Sequence, residues 1–158
     1  MTVGETGINI RPPRPADLPE VVAMESRCFS DPWSVQALEQ ELTPDRLRLP
    51  LVAEISGRLV GYLMAWKVVD QLHILNIATD PEFRRRGVGT ALLLAAVAKA
   101  VKWKMVEITL EVRESNREAR AFYTGHGFTA RGLRKGYYAD NGEDAIVMTR
   151  RVAGFQAP

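Results

Sequence analysis

The chain is 158 residues long, 46% hydrophobic and 25% charged with a formal charge of +2, proportions expected of one globular domain with a single buried core. With a pI near 8.8 it is only mildly basic, which gives no reason to expect direct nucleic acid binding; the longest apolar run, Ala91–Ala98, is too short for a bilayer, and the N-terminus lacks the order of a secretory signal. One cysteine, Cys28, and two histidines, His73 and His126, leave no internal disulfide and no expected metal site, so a cytoplasmic protein is expected.

Residues 1–6 read as a loose start, and Gly7–Arg11 alternates as a short strand should. Asp17-x-x-Glu20 has the spacing of a capping box and opens a helix to about Cys28, with Leu18, Val21, Val22, Met24 and Cys28 on its apolar side. Cys28 is thus expected in the core. In Phe29-Ser-Asp-Pro-Trp-Ser34 the proline breaks this helix and Ser34 is placed to cap a second, running to about Leu42. Trp33, between the two, either staples the helices together or lines the wall of a substrate cleft. Strands follow at Leu49–Ile55 and Arg58–Lys67, joined by Ser56-Gly57, and a second antiparallel step leads to Leu72–Thr79.

The next segment carries a run of three arginines, Arg84, Arg85 and Arg86, into Gly87-Val88-Gly89 and then an apolar helix. Where a strand feeds a helix through such a turn, the first helical N–H groups lack partners and form a site for phosphate. The dinucleotide fingerprint fails because its third glycine position is Leu92, and the P-loop fails because no Gly-Lys-Ser/Thr follows. What fits is Arg84-x-x-Gly87-x-Gly89. The helix runs to near Trp103, with Val88, Ala91, Leu92, Ala95, Ala98 and Val101 as its expected buried stripe. Met105–Arg113 alternates cleanly, sending Glu107, Thr109, Glu111 and Arg113 to the polar side. A crossover would set this strand parallel to Leu72–Thr79. Ser115-x-x-Glu118 reads as a capping box for a helix that carries Phe122 and Tyr123 and stops at Gly125-His-Gly127. Strands at about Phe128–Tyr138 and Ala145–Val152, joined through Asp140-Asn-Gly142, close the chain, and Ala153–Pro158 reads as a frayed tail.

The Arg84–Gly89 turn and this order of elements resemble the GNAT acetyltransferases. Asp31-Pro-Trp-Ser34, His73-Ile-Leu-Asn-Ile-Ala78, Leu110-Glu-Val-Arg113, Ser115-Asn116, Phe122-Tyr123 with Gly127-Phe128, Arg134-Lys-Gly-Tyr-Tyr138 and Glu143-Asp-Ala145 are similar to its RimI-type branch of ribosomal-protein-alanine N-acetyltransferases. The resemblance implies one α/β (α+β) domain over residues 1–158, with a mixed sheet of about seven strands and flanking helices. It implies acetyl-CoA as cosubstrate, no metal, and transfer by direct attack to a protein N-terminal alanine, on small-subunit ribosomal protein eighteen.

By the same resemblance, backbone groups of Ile77 and Ala78, followed by Thr79, hold the pantetheine arm. Arg84, Arg85, Arg86, Gly87, Val88, Gly89 and Thr90 bind the pyrophosphate, and Asn116 adds a polar contact. Glu111 matches the branch's general base, its bland alternative being an ion pair with Arg113 or another cation. A free α-amino group, with a pKa of about 7.7–8.0, needs a base at neutral pH. Tyr123 matches the acid that protonates the departing sulfur, the alternative being a core aromatic beside Phe122. Tyr137 and Tyr138 either wall the peptide groove or are ordinary strand aromatics. Both histidines read as structural, and Glu107 as paired with a cation. A monomer is expected, with no membrane or nucleic acid partner. Lysine or small-amine acetylation, and a non-catalytic acyl-CoA-binding module, stay open as alternatives.

Overall fold

The computed structural model describes residues 7–152; the expectations for residues 1–6 and for Ala153–Pro158 lie outside them. In chain order the elements are β1 (Ile8–Arg11), α1 (Leu18–Cys28), α2 (Val35–Glu41), β2 (Arg48–Ile55), β3 (Arg58–Val68), β4 (Gln71–Thr79), α3 (Val88–Lys102), β5 (Glu107–Arg113), α4 (Arg117–Gly125), β6 (Thr129–Arg134) and β7 (Ala145–Arg151). The strands form one mixed sheet in the order β1-β2-β3-β4-β5-β7-β6. Only β4 and β5 pair in parallel, across the helix that connects them. The β2–β3 hairpin turns through Ser56 and Gly57, both at positive φ, the left-handed pair whose twist matches the flanking strands.

Helix α3 covers one face of the sheet, where Val88, Leu92, Leu93, Ala96, Val97 and Ala100 pack on Leu63, Leu72, Ile74, Ile108 and Leu110. Helices α1 and α2 cover part of the other, with Val21, Met24, Leu38 and Leu42 against Val52, Tyr62, Met64 and Ala78. The buried stripe of α3 therefore differs from the expected one: Ala98 and Val101 face solvent. A helix that is apolar nearly all round offers little polar contrast to fix its phase.

Three further expectations are corrected. Asp17 does not cap α1; its carboxylate accepts the Arg14 N–H at 2.7 Å and both terminal nitrogens of Arg11 at 2.8 and 2.9 Å. A buried guanidinium requires acceptors, and Asp17 with Glu54 supplies them. Helix α4 is capped by Asn116, whose Oδ1 accepts the Ala119 N–H at 3.1 Å, rather than by Ser115. The last hairpin is not tight, because β6 ends at Arg134 and β7 starts at Ala145. Asp140-Asn-Gly142 does turn, with the Gly142 N–H donated to the Tyr138 carbonyl, but within a longer loop. That loop is tied down by Arg113, which reaches Asp140 at 2.8 Å and Glu143 at 3.4 Å.

Candidate functional site

The parallel ladder is short. It pairs Gln71–Ile74 with Glu107–Leu110 and stops. Beyond it β4 stays with β3, matching Asn76 to Met64 and Ala78 to Tyr62, while β5 stays with β7, matching Glu111 to Val147. Leu75 is the extra residue of a bulge, since Met64 faces Asn76 but Ala65 faces Ile74. Past this point the β5-facing backbone edge of Ile77, Ala78 and Thr79 has no strand partner among the described residues, and a wedge-shaped gap opens between the strands.

The gap leads to the arginine turn. Asp80, 3% exposed, accepts the Glu82 N–H at 3.0 Å and pairs with Arg27 at 3.0 Å and Arg58 at 3.6 Å. Arg84, Arg85 and Arg86 are exposed, and the backbone turns left-handed at Arg85 (φ 66) and Gly87 (φ 83). At a non-glycine residue such as Arg85 this conformation costs about 1–3 kcal/mol. Gly87 has no side chain with which to cap α3, so no side chain among the described residues takes the N–H groups of Val88, Gly89 and Thr90. An unfilled first turn flanked by cations is a fit for phosphate oxygens. A Cβ at Gly89 would stand 3.3 Å from the Phe122 ring, so α4 packs directly on this turn. His126 adds a second tie. Its Nδ1 lies 2.8 Å from the Phe122 carbonyl and must donate to it, leaving Nε2 to accept from the Thr90 hydroxyl at 3.2 Å.

On the polar face, Glu111 Oε1 lies 2.7 Å from His73 Nε2 and Oε2 lies 3.6 Å from Arg134. His73 was expected to be merely structural, but the parallel register sets it beside Thr109 and diagonal to Glu111. Burial, the largest influence on Glu111, works to raise its pKa, yet the His73 hydrogen bond and the Arg134 charge hold it below the usual carboxylate value. Among the described residues Glu111 pairs with another cation, Arg134, rather than with Arg113, and Glu107 accepts from Gln71 at 2.7 Å rather than from a cation.

Tyr123 is 6% exposed and sits edge-on to Phe122 and Phe128. Its hydroxyl makes no hydrogen bond to a described residue, yet it is not among the sealed, unpartnered polar atoms, so it keeps an opening to solvent. Burial chiefly, and Tyr138 secondarily, push its pKa above the ordinary tyrosine value. Tyr137 and Tyr138 leave the strand and stand edge-to-face in the loop, with Arg134 over the first ring at 4.5 Å and Arg113 over the second at 4.0 Å. Burial foremost pushes Tyr138 up to about 12, and the Glu111 charge contributes. Trp33 is half-buried on the α1/α2 core, its backbone N–H donated to Glu25 at 3.0 Å. This packing fits the staple reading of Trp33. Asn116 spends its Oδ1 on the α4 cap, which leaves the Nδ2 hydrogens for any further contact. Cys28 packs against the core, its thiol donated to the Thr79 carbonyl at 3.4 Å and its pKa raised chiefly by burial.

The model of the Acetyltransferase (GNAT) family matches residues 18–128, from the start of α1 through α4. The chain belongs to the GNAT acetyltransferase family. Among its relatives, a Salmonella typhimurium protein named a ribosomal protein bS18-alanine N-acetyltransferase is 36% identical over 134 residues, covering 84% of this chain and 89% of that one. The crystal structure of the Escherichia coli ribosomal-protein-S18-alanine N-acetyltransferase superposes with a TM-score of 0.85 at 30% identity, over 96% of each chain. Ard1 from Thermoplasma volcanium superposes at 0.82 with 30% identity, over 92% of this chain and 98% of that one.

As a GNAT acetyltransferase the chain presents its expected residues in two groups. Ile77, Ala78 and Thr79 lie on the end of β4 past the parallel ladder, ahead of the Arg84–Thr90 turn, while Glu111 lies on β5, Tyr123 on α4, and Tyr137 and Tyr138 in the loop between β6 and β7. Sequence reasoning missed His73, His126 and Glu25. For Glu25 a signal existed, because it lies four residues after Val21 on the apolar stripe of α1 and is buried there at 1% exposure. For His73 the signal was its alternation onto the same polar face as Glu111. No helix among the described residues is long and apolar enough to cross a membrane.

Proposed function

We propose that the chain moves acetyl from acetyl-CoA to the α-amino group of a protein N-terminal alanine, the ribosomal protein acceptor that its bS18-alanine relatives are named for. The observation that carries this reading is the Glu111–His73 pair, which stands where the parallel ladder ends and faces the Tyr137/Tyr138 loop. The unfilled first turn of α3 and the cations Arg84, Arg85 and Arg86 take the pyrophosphate. Residues 1–158 act as one domain, in the cytoplasm and as a monomer, on a peptide rather than on nucleic acid, and without a metal.

At neutral pH most of an α-amino group is protonated. Glu111, held ionised, draws the ammonium in. His73 donates Nε2–H to Glu111 and so keeps the Nδ1 lone pair to accept a proton, directly or through a water. Backbone groups of Ile77 and Ala78 hold the arm and bear on the carbonyl oxygen as the nitrogen–carbon bond forms. Tyr123 meets the sulfur and gives up its proton as the carbon–sulfur bond breaks. The nitrogen sheds its second proton as the tetrahedral centre collapses to the amide, and that proton, passed through solvent, restores the Tyr123 phenol, whose raised pKa favours its return.

The test is turnover on peptides beginning with Ala, Ser or Met against the same peptides with blocked N-termini, with products mapped by mass spectrometry. Acetylation at the free N-terminus, strongest for Ala, is expected. Modification confined to internal lysines would sink the N-terminal assignment, and coenzyme A binding without thiol release on any amine would leave a binding module.

A further inference from the structure

Glu25 is a carboxylate in a place where burial alone would favour a methionine. It is 1% exposed, on the inner side of α1 among Val21, Met24, Leu38 and Met64, and no Lys, Arg or His pairs with it among the described residues. What it has are three donors from three separate segments. Oε1 accepts from the Tyr62 hydroxyl on β3 and from Asn76 Nδ2 on β4 at 2.9 Å, and Oε2 accepts the Trp33 N–H at 3.0 Å.

Two of these donors sit at the joints of the proposed site. Asn76 is the first residue past the Leu75 bulge and precedes Ile77, where β4 has parted from β5. Trp33 lies in the short passage between the end of α1 at Cys28 and the Ser34 cap of α2. Glu25 therefore spans from the acceptor-side loop to the strand that flanks the thioester. A buried, hydrogen-bonded carboxylate contributes little net stability compared with apolar residues of the same volume, whereas its bonds fix geometry.

We propose that Glu25 is a positioning residue of the acceptor site: by holding Trp33 N–H and Asn76 through one carboxylate, it sets the spacing between the 29–34 loop and β4, and so the seat of the incoming amine. This rests on the reading that the cleft between Trp33 and the Tyr137/Tyr138 loop takes the acceptor. It requires no contact between Glu25 and substrate, and it assigns Glu25 no proton transfer.

The experiment removes the network without leaving it half satisfied. The triple variant Glu25→Met, Tyr62→Phe, Asn76→Leu replaces the carboxylate and two of its donors by apolar groups of similar size, and the Trp33 N–H, at a half-buried position, can turn to water. Expected are cooperative unfolding at a Tm no lower than wild type, faster hydrogen exchange at the Trp33 amide, an acceptor KM raised about tenfold and an acetyl-CoA KM within about twofold of wild type. Glu25→Gln, which keeps one accepting oxygen, should stay within about threefold of wild-type acceptor KM. Exchange that rises while the acceptor KM stays at the wild-type value overturns the proposal, as does a parallel rise of both KM values. If the triple variant fails to fold, the conservative variant decides, since a Glu25→Gln change that moves both KM values together also overturns it. The split is taken with whichever amine the wild type acetylates; failure of N-terminal peptides as substrates for the wild type counts against the function above and not against Glu25.

Discussion

Replacing Gly61 by alanine tests whether the close approach of β3, β4 and α3 sets the candidate site. A Cβ at Gly61 would stand 2.8 Å from the Ala78 carbonyl oxygen and 2.8 Å from Val88 Cγ1, with Leu92 Cδ1 at 3.2 Å. Ordinary contact begins near 3.4 Å, so each of the first two neighbours must retreat by about 0.6 Å. Neither can swing away: Ala78 O is backbone in a paired strand, and Val88 opens α3 with one stiff rotamer. Overpacking of this kind costs about 2 kcal/mol, which lowers Tm by about 4–8 °C for a chain of this length. The functional consequence is larger than the thermal one, because Ala78 lines the gap and Val88 begins the phosphate turn. Both sides of the proposed acetyl-CoA site move apart. We expect the acetyl-CoA KM to rise about tenfold, read by thiol release at saturating acceptor, with the melt followed by circular dichroism. A Gly61→Ala protein that melted within 1 °C of wild type with unchanged kinetics would refute the argument.

Tyr123→Phe should lower kcat about 100-fold with little change in acetyl-CoA affinity measured by calorimetry; full activity would remove Tyr123 from the chemistry. Since Glu111 lies below the usual carboxylate range, the acid limb of kcat against pH should not follow a carboxylate; a midpoint at about 4–5 would contradict the role given to His73. Asp17 has its pKa lowered chiefly by the Arg11 hydrogen bond, so its stabilisation is fully present above the unfolded value of about 3.9 and is lost as pH falls through the lower folded value. Asp17→Asn should therefore destabilise the protein by about 3 kcal/mol at pH 7 and flatten the decline of Tm with acid below about pH 4; an unaltered acid profile would count against this account. Thr90→Val cuts the His126 hydrogen bond and should raise the acetyl-CoA KM a few-fold, with kcat measured alongside; unchanged kinetics would mean the tie between α3 and α4 has no bearing on the cofactor.

Local signals carried much of the architecture. Ser56-Gly57 specified its hairpin because both residues reach positive φ there, and the Arg84–Gly89 turn was legible because its glycines and cations stand together in a short stretch of sequence. The phase of α3 was not legible, since alanines and leucines run all round it. The His73–Glu111 pair depends on the register of two parallel strands joined through a helix, which no short window of sequence encodes. Arg113 offered Glu111 as a neighbour along its own strand, but across the sheet it found Asp140 and Glu143. The same cross-sheet pull took Tyr137 and Tyr138 out of the expected strand and into the loop beside Glu111.

The short parallel ladder has a mechanical consequence. Between the half of the sheet made by β1 to β4 and the half made by β5 to β7, strand pairing among the described residues runs through Gln71–Ile74 and Glu107–Leu110, continued by the Val106 N–H donated to the Asp70 carbonyl, with the Gln71–Glu107 and His73–Glu111 side-chain bonds and the packing of α3 as further brackets. A molecule lying in the open end of that seam would substitute for the missing strand pairing and clamp the halves together. Occupancy at 100 times its dissociation constant would add about 2.7 kcal/mol to stability, and amide protection should rise on both sides of the seam. Such a ligand would in this sense supply the strand that the sheet lacks at its seam.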